Sequence, residues 1–245
     1  MIPKLAVVGK GGSGKTVLAA LLARALSDRG LIVLAVDLDA NPGLAVALGV
    51  PAYDIAIPSS AIERRPDVPY GWGLARHLSP EEAVRRFAIQ AGDRIGFLGY
   101  GNMAGADTPL HQYLSAVREV AADFDQPGWV VVADLAAGPT NAFEGYAGLA
   151  STVLVTVEAT PTSVLTARRL VELLAHDGVR VEVVVTKARS AADAELVAES
   201  ITPLAAVPFD DEVRGRALGD GGVVGVGRAS PALLAVHGLL AQLGF

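Results

Sequence analysis

The sequence predicts an α/β protein with a doubly wound, mostly parallel sheet flanked by helices. Short, nearly uninterrupted apolar runs alternate with stretches in which apolar residues recur at helical spacing. Such runs are typical of parallel strands that are covered on both faces. A glycine-rich segment, 9–16, separates the first apolar run from the first helical stretch. Open sheets of this class bind ligands at the carboxyl ends of their strands, so this segment is the first candidate for a site.

The predicted elements follow one another regularly along the chain. Apolar, β-branched runs predict buried strands at 4–9, 31–37, 93–99, 128–134, 151–157 and 179–186. Helical spacing predicts helices at 14–30 and at about 109–123, 161–176, 190–200 and 230–243. Gly30 suits the position just after the first helix, where a left-handed backbone is common. This order favours parallel strands joined by crossover helices.

Residues 51–94 fit the alternation less well, because they are rich in proline and arginine. Within them, 79–92 carries Ser79 as a helix N-cap, Pro80 at the first helical position and Glu82 at the third, which predicts a helix start. We expect the rest to be a surface excursion. A chain of 245 residues is long enough for one large α/β domain, so we predict a single domain over 1–245.

The composition argues against several classes of protein. Cysteine is absent, which excludes disulfides and thiolate metal sites within this chain. The formal net charge is −6 and no basic block stands out, so nothing strongly suggests nucleic-acid binding. We find no run of 18 apolar residues and no signal-peptide core at the N-terminus. We therefore expect a soluble, cytoplasmic protein without strong signs of membrane binding.

The segment "GKGGSGKT" at 9–16 matches the phosphate-loop pattern G-x-x-x-x-G-K-[ST]. Glycines let backbone N–H groups turn inward around phosphate oxygens, and the following helix adds its positive N-terminal end. Lys15 is expected to neutralise the β- and γ-phosphates, and the Thr16 hydroxyl to bind Mg²⁺. The residues that we expect to hold the nucleotide phosphates are Gly11, Gly12, Ser13, Gly14, Lys15, Thr16 and Val17.

A second lysine, Lys10, lies in the same loop, at a position that an ordinary phosphate loop leaves free. The pattern K-G-G-x-G-K-T resembles the deviant Walker A motif of the MinD/ParA group of P-loop ATPases. The resemblance implies that ATP and Mg²⁺ are the cofactors and that the chain forms a homodimer on ATP binding. It also implies that Lys10 reaches across the dimer to the partner's nucleotide. There it would supply positive charge where the transferred phosphoryl group becomes negative.

Two further strand ends carry acidic residues that the resemblance explains. Asp37 and Asp39 end the second predicted strand, and the resemblance implies that Asp39 orients the attacking water. Asp37 is implied to support the phosphate loop or a metal-bound water. "DLAAG" at 134–138 resembles the D-x-x-A-G pattern of Walker B and switch II. Asp134 is then expected to hold Mg²⁺ through water, and the Gly138 N–H to detect the γ-phosphate.

Two segments near the end of the sequence resemble the base-binding elements of the same group. The first is Thr186-Lys187, where relatives often have Asn-Lys, so Lys187 is retained without the asparagine. The second is a proline–aromatic–aspartate turn formed by Pro208, Phe209 and Asp210, which is expected to lie beside the base. The first element therefore supports adenine recognition less strongly than the second.

Within the MinD/ParA group, the order of motifs resembles the CooC-like ATPases that insert nickel into carbon monoxide dehydrogenase. Those proteins carry a C-x-C metal pair after the third strand, whereas this chain has Ala106, Asp107 and Thr108 and no thiol. His111 and Asp107 could in principle bind a metal, but a surface histidine is the simpler interpretation. The resemblance therefore does not extend to a metal-carrier role.

These observations favour a Mg²⁺-dependent ATPase that acts as a dimeric switch on a client protein and drives its maturation or remodelling. The alternatives are a positioning or partition ATPase on membrane or DNA, a small-molecule kinase or ligase on the same fold, and an idle nucleotide sensor. A membrane-binding version needs a basic amphipathic tail, but 230–245 contains no Lys or Arg. We expect slow hydrolysis without a partner.

Overall fold

The computed structural model describes residues 1–39, 43–50, 57–99, 109–138, 149–176, 178–219 and 221–245. The strands in these ranges are β1 (Lys4–Gly9), β2 (Ile32–Leu38), β3 (Ile62–Arg64), β4 (Trp72–Leu74), β5 (Ile89–Gly92), β6 (Ile95–Leu98), β7 (Trp129–Leu135), β8 (Thr152–Val157), β9 (Arg180–Ala188) and β10 (Ala205–Pro208). The helices are α1 (Lys15–Asp28), α2 (Leu44–Ala47), α3 (Pro80–Phe87), α4 (Leu110–Asp123), α5 (Pro161–Leu174), α6 (Ala191–Ala198), α7 (Asp211–Leu218) and α8 (Pro231–Leu243).

Eight strands form one sheet in the order β10-β9-β8-β1-β7-β2-β6-β5. Every neighbouring pair is parallel except β5 with β6, which is antiparallel at the edge. The predicted doubly wound, mostly parallel α/β fold is therefore confirmed. Strand order reverses around β1, and in open α/β sheets the ligand crevice lies at such a reversal.

The sheet separates two apolar layers because successive side chains of a strand point to opposite faces. In β2, Leu34 and Val36 belong to one layer, while Val33 and Ala35 belong to the other. Apolar residues of α3, α4, α5 and α6 complete the first layer. Those of α1, α2, α7 and α8 complete the second. Burial on both faces explains why the central strands are nearly continuous apolar runs.

The helix ends follow the predicted local signals. Gly30 has φ 85° and lies just after the α1 C-cap, which confirms the predicted helix end. The Ser79 side chain accepts a hydrogen bond from the Glu82 N–H, so α3 begins as predicted. The C-terminal helix α8, predicted at about 230–243, buries Leu233, Val236 and other apolar residues and packs against α1.

The segment around 79–92 differs from the sequence prediction in its second half. The helix ends at Phe87, and residues 89–92 form the edge strand β5. Burial alternates along this strand, since Ala91 is buried between the exposed Gln90 and Gly92, and this period of two suits a strand. The four-residue strand β10, which pairs with β9 at the opposite edge, also has no counterpart among the predicted strands.

The described part of the expected surface excursion contributes directly to the core. Its strands β3 and β4 form an antiparallel pair, and Ile57, Ile62 and Leu74 belong to the first apolar layer. The Glu119 side chain of α4 accepts hydrogen bonds from the Arg65 guanidinium and from the Leu74 N–H. These contacts attach the hairpin to α4, so it does not merely cover the surface.

A close backbone contact provides a test of the packing. A Cβ atom on Gly222 would overlap the amide nitrogen and Cα of Gly49, and Gly222 has φ 62°. We expect Gly222→Ala to lower the free energy of unfolding by roughly 2–4 kcal/mol, because left-handed strain and overpacking act together. Chemical denaturation of the purified variant measures this loss.

The matched control is Gly178→Ala, because Gly178 has φ 67° but a Cβ atom there would meet no atom of the described residues within 4 Å. This variant is expected to lose only the conformational part, about 1–2 kcal/mol. Equal losses in the two variants would contradict the close contact between Gly222 and Gly49.

Candidate functional site

The candidate site lies where β1, β7 and β2 end side by side in the sheet. In the parallel register, Asp134 of β7 pairs with Val7 of β1 on one side and with Asp37 of β2 on the other. The glycine-rich loop follows β1 directly. The fold therefore brings the phosphate-loop motif and both strand-end aspartates to one edge of the sheet, as the sequence analysis expected.

The loop has a backbone shape that depends on glycine. Gly12 and Gly14 have φ 82° and 83°, a region that other residues adopt only with strain. The Ser13 N–H donates to the Lys10 carbonyl at 3.1 Å, which closes the turn. Gly14 precedes α1, so the N-terminal N–H groups of that helix open toward the loop, as an anion-binding site requires.

Hydroxyl groups from two neighbouring strands brace the loop from below. The Ser13 and Thr156 hydroxyl oxygens lie 2.6 Å apart, and the Thr156 hydroxyl also lies 3.0 Å from the Val8 carbonyl. The Thr186 hydroxyl donates to the Ser13 carbonyl at 2.7 Å. The Thr186 hydroxyl is therefore engaged with the loop backbone. No local sequence pattern predicts the role of Thr156, because it lies 143 residues from the loop residue that it contacts.

A lysine and a glutamate hold the outer side of the loop. The Lys187 ammonium donates to the Gly12 carbonyl at 2.5 Å and lies 2.7 Å from a Glu158 carboxylate oxygen. Lys187 has φ 56°, which is uncommon for a residue other than glycine, and strained conformations of this kind cluster at functional sites. Lys187 was predicted as a base-binding residue, and here it contacts the phosphate loop. Glu158 was not predicted.

The two lysines of the loop differ strongly in exposure. The Lys15 residue is 6% exposed at the start of α1, whereas Lys10 is exposed at the loop edge. Lys10 makes no side-chain hydrogen bond or ion pair within the described ranges. The half-buried Thr16 and Val17 follow Lys15, and Gly11 and Gly12 are exposed beside Lys10.

Asp37 is fully buried and organises the backbone that follows β2. Its carboxylate accepts N–H hydrogen bonds from Asp39 at 3.0 Å, from Gly43 at 3.1 Å and from Leu44 at 3.0 Å. Burial raises the pKa of Asp37 to about 6, although these hydrogen bonds act in the opposite direction. Asp37 therefore fixes the start of α2, and Asp39 lies half-buried beside it.

Asp134 is fully buried without comparable support. Neither carboxylate oxygen makes a hydrogen bond of standard geometry among the residues that the structure describes. Burial raises the pKa of Asp134 to about 7, and the negative charge of Asp37 contributes in the same direction. The Thr16 hydroxyl and the Lys15 ammonium lie close enough to lower this pKa in part.

An unsatisfied buried carboxylate next to a hydroxyl fits a water-mediated Mg²⁺ site. Thr16 and Asp134 are the residues that would hold this ion, and Asp37 is close enough to support its waters. A bound Mg²⁺ would neutralise phosphate charge at this position. Within the described ranges, we find no group of three or more His, Asp or Glu residues arranged to coordinate a metal by themselves. Oxygen atoms of phosphate and water would therefore have to complete the coordination of a metal ion at this site.

Gly138, the predicted γ-phosphate sensor, lies next to the phosphate loop. Its N–H donates to the Gly9 carbonyl at 3.0 Å, so the loop after β7 is joined to the loop after β1. Pro139 and Thr140 lie outside the described residues, as does Asp107. His111 is exposed near the start of α4.

A cavity of about 650 Å³ extends from the phosphate loop toward the C-terminal strands. Gly14 and Val17 line it together with Lys187, Pro208 and Phe209. A pocket of this size suits a nucleoside. The predicted phosphate-binding and base-binding segments therefore share one continuous cavity.

Asp210 also lines this cavity, but its carboxylate makes structural bonds. One oxygen accepts from the Glu212 and Val213 N–H groups at the start of α7, and the other from the Ser230 hydroxyl and the Ala232 N–H. A carboxylate has about four acceptor positions, so these bonds saturate it. Although burial acts in the opposite direction, the hydrogen bonds from Ser230 and the backbone lower the pKa of Asp210.

The fold and the loop define a P-loop nucleotide-binding protein. A model of the CobQ/CobB/MinD/ParA nucleotide-binding domain matches residues 5–218. The chain therefore belongs to the CobQ/CobB/MinD/ParA family, and the resemblance to the MinD/ParA group is confirmed.

Two curated proteins match the chain over most of its length. An uncharacterised ATP-binding protein of Methanocaldococcus jannaschii is 30% identical, with 86% of each chain covered. The carbon monoxide dehydrogenase accessory protein CooC of Rhodospirillum rubrum is 28% identical, with 86% of this chain and 85% of CooC covered. The second match agrees with the CooC-like order of motifs.

Solved structures show the same fold at lower identity. The septum site-determining protein MinD of Pyrococcus horikoshii, in complex with Mg-ADP, superposes with a TM-score of 0.75. The sequence identity is 19%, and the match covers 100% of this chain and 96% of MinD. No helix in the described part of the chain is long and apolar enough to cross a membrane.

The two buried carboxylates predict a pH dependence of stability. Their pKa values in the folded protein, about 6 for Asp37 and about 7 for Asp134, lie above the usual value of 3.8. The protonated carboxyl groups therefore contribute to the stability of the folded protein. This contribution is complete below about pH 4 and is lost as the pH rises through 6 and 7. We expect Asp134→Asn to be more stable than the wild type at pH 8 without nucleotide or metal, with a smaller difference at pH 5.

Thermal unfolding at the two pH values measures this effect. One kcal/mol corresponds to about 2–4 °C in a chain of this size, so a rise of at least that much is expected at pH 8. Asp93→Asn, at an exposed position in the turn between β5 and β6, is the control and should show no such rise. A Tm for Asp134→Asn below that of the wild type at pH 8 would contradict the interpretation.

Proposed function

We propose that this chain is a Mg²⁺-dependent ATPase that closes as a homodimer on ATP binding and drives the maturation or remodelling of a partner protein. The observation that carries the proposal is the contrast between the two loop lysines, one buried and one exposed. Lys15 is positioned to neutralise phosphates bound in its own loop. Lys10 is positioned on the surface, where a second copy can meet it.

An ammonium group gains most from a triphosphate when both leave water together, because Coulomb interactions strengthen as the dielectric constant falls. An exposed Lys10 cannot provide that stabilisation within an open monomer. If a second copy covers the loop, each Lys10 can approach the partner's phosphates as charge develops there. This arrangement provides in trans what an arginine finger provides in other nucleotide hydrolases.

The remaining site residues support the same reaction. Asp39 lies half-buried next to Asp37, in a position to orient a water for attack on the γ-phosphate. Asp134 and Thr16 provide the oxygens for Mg²⁺. Asp37 keeps the backbone of this region in place through three N–H hydrogen bonds. Phosphoryl transfer requires mainly positioning and charge stabilisation, and these residues supply both.

The hydrogen bond from the Gly138 N–H to the Gly9 carbonyl suggests how hydrolysis could change shape. A γ-phosphate in the loop would offer that N–H a charged acceptor in place of a neutral carbonyl, and charge-assisted hydrogen bonds are stronger. The segment after β7 would then have two positions, one with triphosphate and one without. A client that binds one position better would respond to hydrolysis.

The matches favour a partner protein over other targets. One relative is named as an accessory protein of carbon monoxide dehydrogenase. The C-terminal helix, which a membrane-binding version would need as a basic tail, has its apolar face buried against α1. Because the chain has no thiol, the proposal concerns ATP-driven remodelling without cysteine-bound metal.

Substitution of Lys10 tests the dimer mechanism. We expect Lys10→Ala to bind ATP almost as tightly as the wild type but to hydrolyse it on the order of 10³-fold more slowly, the effect of removing a charge supplied in trans. Lys15→Ala is the comparison, and it should lose affinity as well as turnover. Isothermal titration with a non-hydrolysable analogue and a phosphate-release assay give the two quantities, and normal hydrolysis by Lys10→Ala would refute the mechanism.

Mixing two inactive variants makes the test sharper. In a dimer of Lys10→Ala with Asp39→Asn, the Lys10→Ala protomer keeps its own Asp39 and receives Lys10 from its partner. Hydrolysis should therefore return in the mixture, whereas each variant alone stays inactive. Light scattering should show a dimer only with the triphosphate analogue. No recovery, together with a protein that stays monomeric with the analogue, would reduce the chain to a nucleotide-binding domain.

A further inference from the structure

Two buried threonines hold the phosphate loop at a single residue, Ser13. Thr156 lies near the end of β8 and Thr186 near the end of β9, and these two residues and Ser13 are at most 5% exposed. Thr156 is the register partner of Gly9 at the end of β1, and β9 is the next strand beyond β8. The parallel sheet therefore brings both hydroxyls to the base of the loop, where groups this deeply buried need partners within the protein.

The distances assign the hydroxyl protons of this cluster. The Thr156 hydroxyl lies 3.0 Å from the Val8 carbonyl, which can only accept, so Thr156 donates its single proton there. The Ser13 hydroxyl, 2.6 Å from the Thr156 oxygen, must then donate to Thr156. The Thr186 hydroxyl donates to the Ser13 carbonyl at 2.7 Å, and the Ser13 N–H donates to the Lys10 carbonyl at 3.1 Å. The N–H, the carbonyl and the hydroxyl of Ser13 are thus all held.

The first glycine of the loop leaves room for this cluster. A Cβ atom on Gly9 would overlap the Thr156 hydroxyl oxygen and would lie 2.7 Å from the Ser13 hydroxyl oxygen. Any larger residue at this position would therefore displace the two hydroxyls. The missing side chain at Gly9 and the hydroxyl pair belong to one arrangement.

The hydrogen bond to the Ser13 carbonyl also sets the direction of the next N–H group. In a trans peptide the C=O bond and the following N–H bond point to opposite sides of a nearly rigid plane. Because the Ser13 carbonyl points toward Thr186, the Gly14 N–H points away from it. Gly14 is the N-cap of α1, and a helix leaves its first N–H groups without intrahelical partners. N–H groups of this kind bind phosphate oxygens.

We propose that Thr156 and Thr186 are positioning residues that hold Ser13 so that the Gly14 N–H faces a bound phosphate. The inference rests on the proposed function only in that the loop binds nucleotide phosphates. Thr156 acts through the Ser13 hydroxyl and Thr186 through the Ser13 carbonyl, so neither needs to touch the ligand. Without these bonds the loop has to be ordered during binding, and that cost reduces the affinity. Thr186, in a segment expected to bind the base, thereby serves the phosphates.

Calorimetric titration with Mg²⁺-tripolyphosphate, which has neither base nor sugar, tests the proposal. Thr156→Val and Thr186→Val keep the size of the side chain and remove the hydroxyl. Each should weaken binding by roughly 5- to 50-fold, within the range of a hydrogen bond to a charged group. Thr186→Ser, which keeps the hydroxyl, should retain most of the affinity. Wild-type affinity in either valine variant would overturn the role of that threonine.

A purely structural role predicts a different result, because it lowers stability without changing the affinity of the folded protein. Ser115→Ala is the matched control, since the buried Ser115 hydroxyl on α4 donates to the Trp72 carbonyl, outside the phosphate loop. This variant should lower the Tm, as the valine variants do, and bind tripolyphosphate as the wild type does. A loss of affinity in Ser115→Ala as large as in the valine variants would contradict the positioning role.

A double-mutant cycle shows whether Thr156 acts through the Ser13 hydroxyl. In a Ser13→Ala background that contact is already lost, so Thr156→Val should weaken binding by less than about twofold more. A further loss as large as in the wild-type background would refute the proposed route.

Titration of the wild type separates this inference from the proposed function. If the wild type binds neither Mg²⁺-tripolyphosphate nor Mg-ADP, the loop is not a phosphate site and both proposals fail. If it binds them and the valine variants bind equally well, only this inference is wrong. If only Mg-ADP binds, the same variants are compared with Mg-ADP, and Thr156→Val decides, because Thr156 does not line the cavity.

Discussion

The site depends on the repulsion between two buried carboxylates at the ends of adjacent strands. Asp37 and Asp134 are partners in the register of β2 and β7, and neither is exposed to solvent. Three backbone N–H groups stabilise Asp37, whereas Asp134 has no hydrogen bond of standard geometry in the described structure. A buried charge without a partner is costly, so the free protein is destabilised at this point. A ligand that brings a metal cation together with an anionic phosphate would neutralise the unpaired carboxylate charge. Its binding would stabilise the folded protein by linkage.

Much of the fold could be predicted because its signals are local. Continuous apolar runs identify the central strands, and Gly30 and Ser79 mark helix ends through the backbone shape and the hydrogen bond that they provide. The errors lie at the sheet edges. Residues 89–92 and 205–208 form strands of four residues, too short for a clear period, and their conformation depends on pairing with β6 and β9. Hairpin residues such as Ile62 gain their burial from α4, which follows much later in the chain.

The candidate site shows the same division between local and distant information. The phosphate loop and the strand-end aspartates are recognisable from short patterns, and the fold brings them to one edge. Thr156 and Glu158 had no such pattern, since Thr156 contacts the loop from 143 residues away and Glu158 is connected to the loop only through Lys187. Asp210 belongs to the proline–aromatic–aspartate pattern that predicts base binding, but its carboxylate joins α7 to α8. A motif identifies the residue type at a position, whereas only the structure shows which partner it has.

The hydrogen bonds around the loop also indicate where binding energy can be used. Ser13, Thr156 and Thr186 brace the loop from below, and Lys187 holds it from outside. A loop that is held by hydrogen bonds within the protein loses little further entropy on binding, so more of the interaction energy with phosphate is available to drive other changes. The Gly138 N–H, which donates to the Gly9 carbonyl, would have an alternative acceptor once a phosphate is bound. Because these hydrogen bonds hold the loop in place, differences between nucleotide states should appear in the segments that contact it and at the exposed Lys10.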